Sequence, residues 1–412
     1  MNSAGLNDER VSVLGIAIRG SSVRALDLSY NESISSEGWQ MFLNHLSQSS
    51  IQSINLSKVL DDVSLPVLAN IGTLKSLGLS YNKSVTPSGW RSFFNSLQRR
   101  GTQLVKLDIS HNKVGNEGAT ALGNLLSNMS TLKILNIRSM PSQNHTNDIT
   151  PQGWQTLFTT LQESNLDLVK MDVSFNNIDD DGLQLLIRFA SRMSSLKHLY
   201  LGNNQVALTS WYAPPGLLSP NFVLETLDLS SSNLNDDTVV ALTSALANNN
   251  NNTLKRLDLD YITDEDDNEL ITDRGWEAIS TLLCNKTSIM DTYNSNHTLQ
   301  YLGEYIPDDI ESYLKLNRNK DKLEVARQKI LQTHFSTKDD DSKIQELLDM
   351  ELEVIPTAIA WIGRSLPIGW CGKSVSGLSL LYNLMRRLPD LFDSDVHTVK
   401  ESLSKRMRKF NV

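Results

Sequence analysis

The chain has 412 residues, of which 40% are hydrophobic, and a formal net charge of −9. With no apolar run near 18 residues, this composition excludes a membrane-spanning helix and wholesale disorder. Cys284 and Cys371 are its only cysteines, too few and too far apart for a disulfide framework or a zinc site, which points to a reducing, cytoplasmic setting with the nucleus as the alternative.

Residues Met1 to Arg10 are polar and include Asp8 and Glu9, the opposite of a signal peptide's basic and then apolar order. Asn7 to Arg19 has helical spacing, and its Leu14-Gly15 aligns with Leu122-Gly123 further along. A half repeat is therefore expected over residues 1–22. It would cap the first strand or continue an array that extends further upstream.

From Val23 the pattern Leu-x-x-Leu-x-Leu-x-x-Asn recurs. Its clearest copy runs Leu104, Leu107, Ile109, Asn112, and further copies begin at Val23, Ile51, Leu74, Leu132, Leu168, Leu196, Leu224 and Leu254. Successive starts lie 28, 23, 30, 28, 36, 28, 28 and 30 residues apart. Each copy alternates apolar residues with period 2 and then changes to helical spacing, as with Leu122, Leu125, Leu126 and Met129. The prediction is an α/β leucine-rich repeat solenoid of nine to ten repeats over 23–302, with a parallel sheet on the concave face and helices on the convex face. Copies of about 28 residues have room for a full helix, and those of about 20 to 24 only for an extended or 3₁₀ return.

Asn31, Asn82, Asn112, Asn176 and Asn204 end the strand segments, where an amide can bond orphaned backbone groups. Gly-Trp opens four helices, at Gly38-Trp39, Gly89-Trp90, Gly153-Trp154 and Gly275-Trp276. Apolar residues three or four positions on, such as Phe42 and Phe93, assign these tryptophans to the core rather than to a ligand.

Two copies break the pattern. Pro141 to Asp148 is a polar insertion, expected to project as a loop. Trp211-Tyr212-Ala213-Pro214-Pro215 replaces a helix, and it either folds back over its own core or recognises a partner.

Positions between the second and third repeat leucines should face the concave surface. They are Asp27, Asn55, Gly78, Asp108, Asn136, Asp172, Tyr200, Asp228 and Asp258. Five aspartates in nine suit a face kept for a cationic surface, and Tyr30, Tyr81, Phe175 and Tyr261 flank them. Charge by region adds to this, because residues 225–291 carry 4 basic and 14 acidic side chains while 1–224 carry 17 and 16. The densest stretch includes Asp258, Asp260, Asp264, Asp266, Asp267 and Asp273, which would favour a basic partner and repel nucleic acid, or form a solvated face.

Beyond about Leu299 the spacing is helical only. One long helix is expected from Pro307 to Phe335, then a helix from near Ile344, an apolar stretch with Trp361 and Leu366, and a last helix near Val396 to Lys409, whose basic residues end the chain. Residues 303–412 form a C-terminal all-helical cap in this reading.

Catalytic motifs are missing. Gly372-Lys373-Ser374 lacks the glycine five positions earlier that a P-loop needs, Asp264-x-Asp266-x-Asn268 has Glu269 and Gly275 where a calcium loop needs glycine and glutamate, and the seven histidines are scattered. No cofactor, metal or enzymatic activity is expected.

The segments Leu104-x-x-Leu-x-Ile-Ser-x-Asn and Leu224-x-x-Leu-x-Leu-Ser, 28 residues per repeat, resemble the ribonuclease-inhibitor-like subfamily of leucine-rich repeat proteins over about residues 7–302. The Gly-Trp helix starts and Tyr293 to Leu299 are also similar to expanded families of such proteins in unicellular algae. Relatives in the subfamily inhibit ribonucleases, activate the Ran GTPase or serve as sensors in immune receptors. The resemblance and the charge pattern together predict a monomeric, non-catalytic module or scaffold that binds a protein with a basic surface and binds no nucleic acid or membrane. Its expected contacts are Asp27, Asp108, Asp172, Tyr200, Asp228, Asp258, Asp260, Tyr261, Asp264, Asp266, Asp267, Trp211 and Tyr212. A GTPase-activating regulator and the sensor portion of an immune-type receptor are the alternatives.

Overall fold

The computed structural model describes residues 5–139, 147–204, 223–232, 234–248, 253–260 and 271–334. Nine three-residue strands follow in chain order: β1 (Ala25–Asp27), β2 (Ser53–Asn55), β3 (Ser76–Gly78), β4 (Lys106–Asp108), β5 (Ile134–Asn136), β6 (Lys170–Asp172), β7 (His198–Tyr200), β8 (Thr226–Asp228) and β9 (Arg256–Asp258). They form one parallel, unclosed sheet in which each strand neighbours the next in sequence. Every strand begins two residues after a predicted repeat start, so the leucine pattern located all nine. Its middle residue turns inward, from Ile54 to Leu257 fully, and its first and third residues are on the other face, half-buried or exposed except for the buried Asp172, Thr226 and Asp258.

Helices return the chain between strands: α1 (Asp8–Arg19), α2 (Ser36–Leu46), α3 (Pro87–Arg99), α4 (Gly115–Leu126), α5 (Pro151–Leu161), α6 (Asp180–Ala190), α7 (Asp236–Asn248) and α8 (Asp273–Leu283). The predicted opening half repeat is α1. After β2, in the 23-residue copy, the return is only a short 3₁₀ segment, Leu65–Asn70. Space rather than sequence preference shortens it, since too few residues remain for a full helix.

Trp39, Trp90 and Trp154 are buried and pack on phenylalanines of their own helices, Trp90 on Phe93 and Phe94 and Trp154 on Phe158. Each such ring contributes about 2–3 kcal/mol by leaving water. The indole Nε1 of all three finds no hydrogen-bond partner, which confirms a packing role.

The glycine before each tryptophan has its own cause. Asp62 of the preceding repeat accepts hydrogen bonds from Thr86 N (2.7 Å) and Thr86 Oγ1 (2.6 Å), and a Cβ on Gly89 would overlap its carboxylate. Asp8 holds Ser35 in the same way above Gly38, and Asp236 holds Thr272 above Gly275. Thr86 in turn accepts from Gly89 N, so one repeat's carboxylate fixes the next repeat's helix cap.

The turn asparagines form a buried amide ladder. Asn112 Nδ2 donates to Leu79 O and Ile109 O at 2.8 Å each, bridging two repeats, and Asn82 and Asn204 do likewise.

Beyond β9, Tyr301 bridges Arg256 and Leu302 O accepts from Leu259 N, so the ladder runs one step past the last strand. The single helix expected over Pro307 to Phe335 is two, α10 (Asp308–Asn317) and α11 (Lys322–His334), preceded by a short α9 (Ile289–Tyr293). Asp321 breaks it: its Oδ1 accepts from Leu323 N and Glu324 N and starts a new helix there. Of the predicted loop Pro141 to Asp148 only Asn147 and Asp148 are described, with Asn147 buried; the rest of it, the Trp211 segment and the helices beyond Phe335 lie outside the described residues.

The chain divides into two compact units, residues 1–279 with 298–310, and 280–297 with 311–412. In the second unit, α9 packs on α11, whose Lys329 is fully buried. Its Nζ donates to Leu283 O (2.5 Å) and Asn296 O (3.1 Å) and lies 3.3 Å from His297 Nδ1. Burial pushes Lys329 down to about 7, and burial with the nearby Lys329 charge pushes His297 down to about 4.

Candidate functional site

Strand register sets residues in rows across the sheet, about 4.8 Å apart from strand to strand. The third residues pair in sequence, Asp27 with Asn55, Gly78 with Asp108, Asp172 with Tyr200, Tyr200 with Asp228 and Asp228 with Asp258. The aspartates singled out by sequence therefore do share one row, with Tyr200 between Asp172 and Asp228.

Each carboxylate is partly committed to the fold. Asp108 Oδ1 accepts from Ser110 N (3.1 Å) and Oγ (2.7 Å), and Asp172 and Asp228 bind Ser174 and Ser230 in the same way. This Asp-x-Ser bracket ties off the backbone where each strand ends. The Oδ2 atoms of these three accept no hydrogen bond from the described residues; Asp108 and Asp228 are half-buried, and Asp172 is buried. At the two ends of the row the second oxygen is engaged: Asp27 Oδ2 accepts from Asn55 Nδ2 (3.2 Å), and Asp258 Oδ2 pairs with Arg256 (2.5 Å). Burial raises the Asp258 pKa, an effect stronger than the opposing pull of Arg256.

The first residues of the strands make a second row that the sequence reading overlooked. Lys106, Lys170, His198 and Arg256 stand here, one step from the aspartates. Lys170 Nζ lies 4.6 Å from the Tyr200 ring centroid, and burial beside Asp172 raises the Tyr200 hydroxyl pKa. One residue earlier come Lys133, Lys197, Glu225 and Lys255. Glu225 sits between Lys255 (2.8 Å) and Lys197 (3.0 Å), whose hydrogen bonds pull its carboxyl down to about 2. Residues 1–224 balance in charge by count, yet Lys106 and Lys170 stand two positions before Asp108 and Asp172 on their strands. A regional count cancels them, and only the period-2 register separates them.

At the other end of the strands, Tyr30, Tyr81, His111 and Phe175 take left-handed backbone conformations, with φ of 58–60°. Bulky residues adopt these at a cost. Tyr81 stacks on His111 at 4.3 Å, and Arg138 lies 4.3 Å from the Phe175 centroid. Tyr30, Tyr81 and Phe175 thus share a backbone conformation at this end of the strands.

Of the remaining predicted contacts, Asp260 accepts from Glu304 N (2.6 Å) and Tyr301 Oη (3.3 Å), a local structural use. Tyr261, Asp264, Asp266, Asp267, Trp211 and Tyr212 lie outside the described residues. No group of three metal-binding side chains occurs among the described residues, and no helix among them is long and apolar enough to cross a membrane.

A family model described as Leucine Rich repeat matches residues 21–43, 102–123 and 164–186. Ribonuclease inhibitor of Sus scrofa is 30% identical over 208 residues, 48% of this chain and 43% of that protein. Protein CARMIL of Dictyostelium discoideum is 22% identical over 239 residues, 57% of this chain and 20% of that protein. The chain thus spans less than half the length of either relative. A chain from the crystal structure of the Rad7 and Elc1 complex in yeast, 16% identical, matches over 66% of this chain and 81% of its own length at a TM-score of 0.29.

Nine parallel strands alternating with helical returns, on a leucine register that the family model matches in three places, define a leucine-rich repeat protein. Within that class the chain is of the ribonuclease-inhibitor-like type, as its repeat length and its likeness to the porcine inhibitor agree. Such repeats are protein-interaction modules.

Proposed function

We propose that this protein is a non-catalytic, monomeric scaffold of a reducing compartment that holds a basic protein partner on the outward face of its sheet. The observation that carries the reading is the central triad Asp172, Tyr200 and Asp228. Three successive strands set two carboxylates with uncommitted oxygens on either side of a half-buried tyrosine. Tyrosine flanked by acceptors is the composition of an interface anchor, and a rigid repeat array presents it without ordering cost. Asp108 extends the acidic row toward the first strands. The cations one row away favour a partner whose basic ridge is bordered by acidic groups, so charge fixes orientation as well as attraction.

Affinity capture from native extract tests this, with intact chain as one bait and Asp108→Lys/Asp172→Lys/Asp228→Lys as the other. A basic protein held by the first and lost from the second, with affinity falling as salt rises, is expected. Identical captures from the two baits would remove the reading.

A further inference from the structure

The cations along the strand-entry edge of the sheet are treated differently in its two halves. From β5 onward most are countered, Lys133 by Asp167 (3.7 Å), Lys197 and Lys255 by Glu225 and Arg256 by Asp258, while Lys170 lies 4.6 Å from the Tyr200 ring centroid and makes no ion pair with a described residue. From β1 to β4 they are not. Arg24, Lys75, Arg100 and Lys106 are exposed and make no ion pair with a described residue. No aspartate or glutamate occurs in 47–54, 70–77 or 99–107.

This uncompensated stretch coincides with a cavity. Because the 23-residue copy returns through a short 3₁₀ segment instead of a helix, a notch of about 660 Å³ opens between the exit of that segment and the end of α3. Lys75 and Arg100 are the charged residues in its wall; Gln52, Asn70, Thr73 and Gln103 supply amides and a hydroxyl. The dipole of α3 favours cations at its C-terminus and accounts for Arg99 and Arg100. It does not account for Lys75 or Lys106, which are on or beside strands.

We propose that this notch is a second recognition site, which takes an acidic polypeptide segment of a protein partner. Uncountered cations in a polar recess are complementary to carboxylates. A continuous nucleic-acid strand would meet the aspartate row beside it, and the notch wall holds no aromatic ring on which a base could stack. The choice of a polypeptide over a small anion rests on the protein-binding function proposed above; the location and sign of the site do not.

The test is fluorescence anisotropy of a labelled deca-glutamate peptide with the full chain in low salt. Lys75→Glu/Arg100→Glu should weaken binding at least about tenfold. Asp172→Lys/Asp228→Lys should not weaken it, so loss of the outward-face partner and loss of this site are read separately. Both notch residues are exposed, and a circular dichroism spectrum matching the unaltered chain shows the variant folded. Equal peptide affinity in the notch variant and the unaltered chain would overturn the proposal. So would tight binding of inorganic tripolyphosphate that the peptide cannot displace, which would assign the notch to phosphate instead.

Discussion

Lys197 and Lys329 place the same ammonium group in opposite surroundings. Lys197 lies on the sheet edge with about half its side chain in water (49%) and shares Glu225 with Lys255. Lys329, in the second unit, is 0% exposed and holds two backbone carbonyls and a histidine. The repeat array spreads its polar support over many equivalent positions, each replaceable. The second unit concentrates support on one buried cation, whose protonation then becomes a property of the fold.

The largest single-site effect should come from the array's apolar layer. Trp90→Ala removes a fully buried ring between Phe93 and Phe94 and should cost about 4 kcal/mol. Because each repeat touches only its neighbours, hydrogen exchange should quicken in α3 and α4 well before α6. Trp90→Phe should fall within about 1 kcal/mol of the unaltered chain, since it also deletes an indole N–H that has no partner. A large cost for Phe would mean that the indole nitrogen has a role in the native state.

Lys329→Ala should follow at about 3 kcal/mol, from the lost stem and the Leu283 carbonyl left without its Lys329 donor, Asn296 O still accepting from Asn317 Nδ2. The pH dependence is sharper. Lys329 falls from an ordinary 10.5 to about 7 on folding, so between those values the unfolded chain binds more protons. Stability of the second unit should therefore rise from about pH 7 toward 10 and level off below 7, where both states are protonated. Lys329→Met, which keeps the volume, should flatten that rise. Alkylation of the buried Cys284 during urea unfolding, in a Cys371→Ser background, reports it, and an unchanged slope in the Met variant would assign the pH dependence elsewhere.

Much of this molecule was legible in its sequence, and the gaps have physical causes. Leucine spacing located nine strands because inward residues every second position are what a parallel sheet over a helix layer requires. Tryptophan at helical spacing with phenylalanine signalled core for the same reason. What sequence missed depends on neighbours 22 to 36 residues away. Asp62 reaching Thr86 is invisible until repeats stack, although a side chain one repeat before each Thr-x-x-Gly-Trp or Ser-x-x-Gly-Trp was a readable cue, aspartate at Asp8, Asp62 and Asp236 and asparagine at Asn116. The cationic rows were missed because they were counted by region rather than by strand position. Strand register sets the aspartates in one row, but their bond to the serine two residues on, and with it the commitment of one oxygen, needed coordinates.

On the array side, Asn112→Ala should cost about 1.5 kcal/mol, since its buried amide donates to Ile109 O and to Leu79 O, the latter shared with Asn82 Nδ2. The cost should be additive with a similar change at Asn204, three repeats away. Urea midpoints of the single and double variants check this. Strong non-additivity would show that the ladder acts as one cooperative unit, nearer in character to the Lys329 cluster than to independent rungs.

Glu225→Gln should show the smallest effect, below about 1 kcal/mol, because the Lys197–Glu225–Lys255 network is largely solvated. Two terms add: the two lysines lose their shared carboxylate, and they then face each other across a neutral amide. Both are electrostatic, so the cost should shrink between 50 mM and 1 M salt, about 14 Å to 3 Å in screening length. Glu225 is held near 2 against an ordinary 4.5, so its contribution is complete above about pH 4.5 and is lost as pH falls toward 2. Comparing urea midpoints of the two chains at both salts and at pH 3 and 7 reads these terms. A cost unchanged by salt and pH would mean that Glu225 acts through packing, and the distinction between an electrostatic sheet edge and a structurally committed buried lysine would no longer hold.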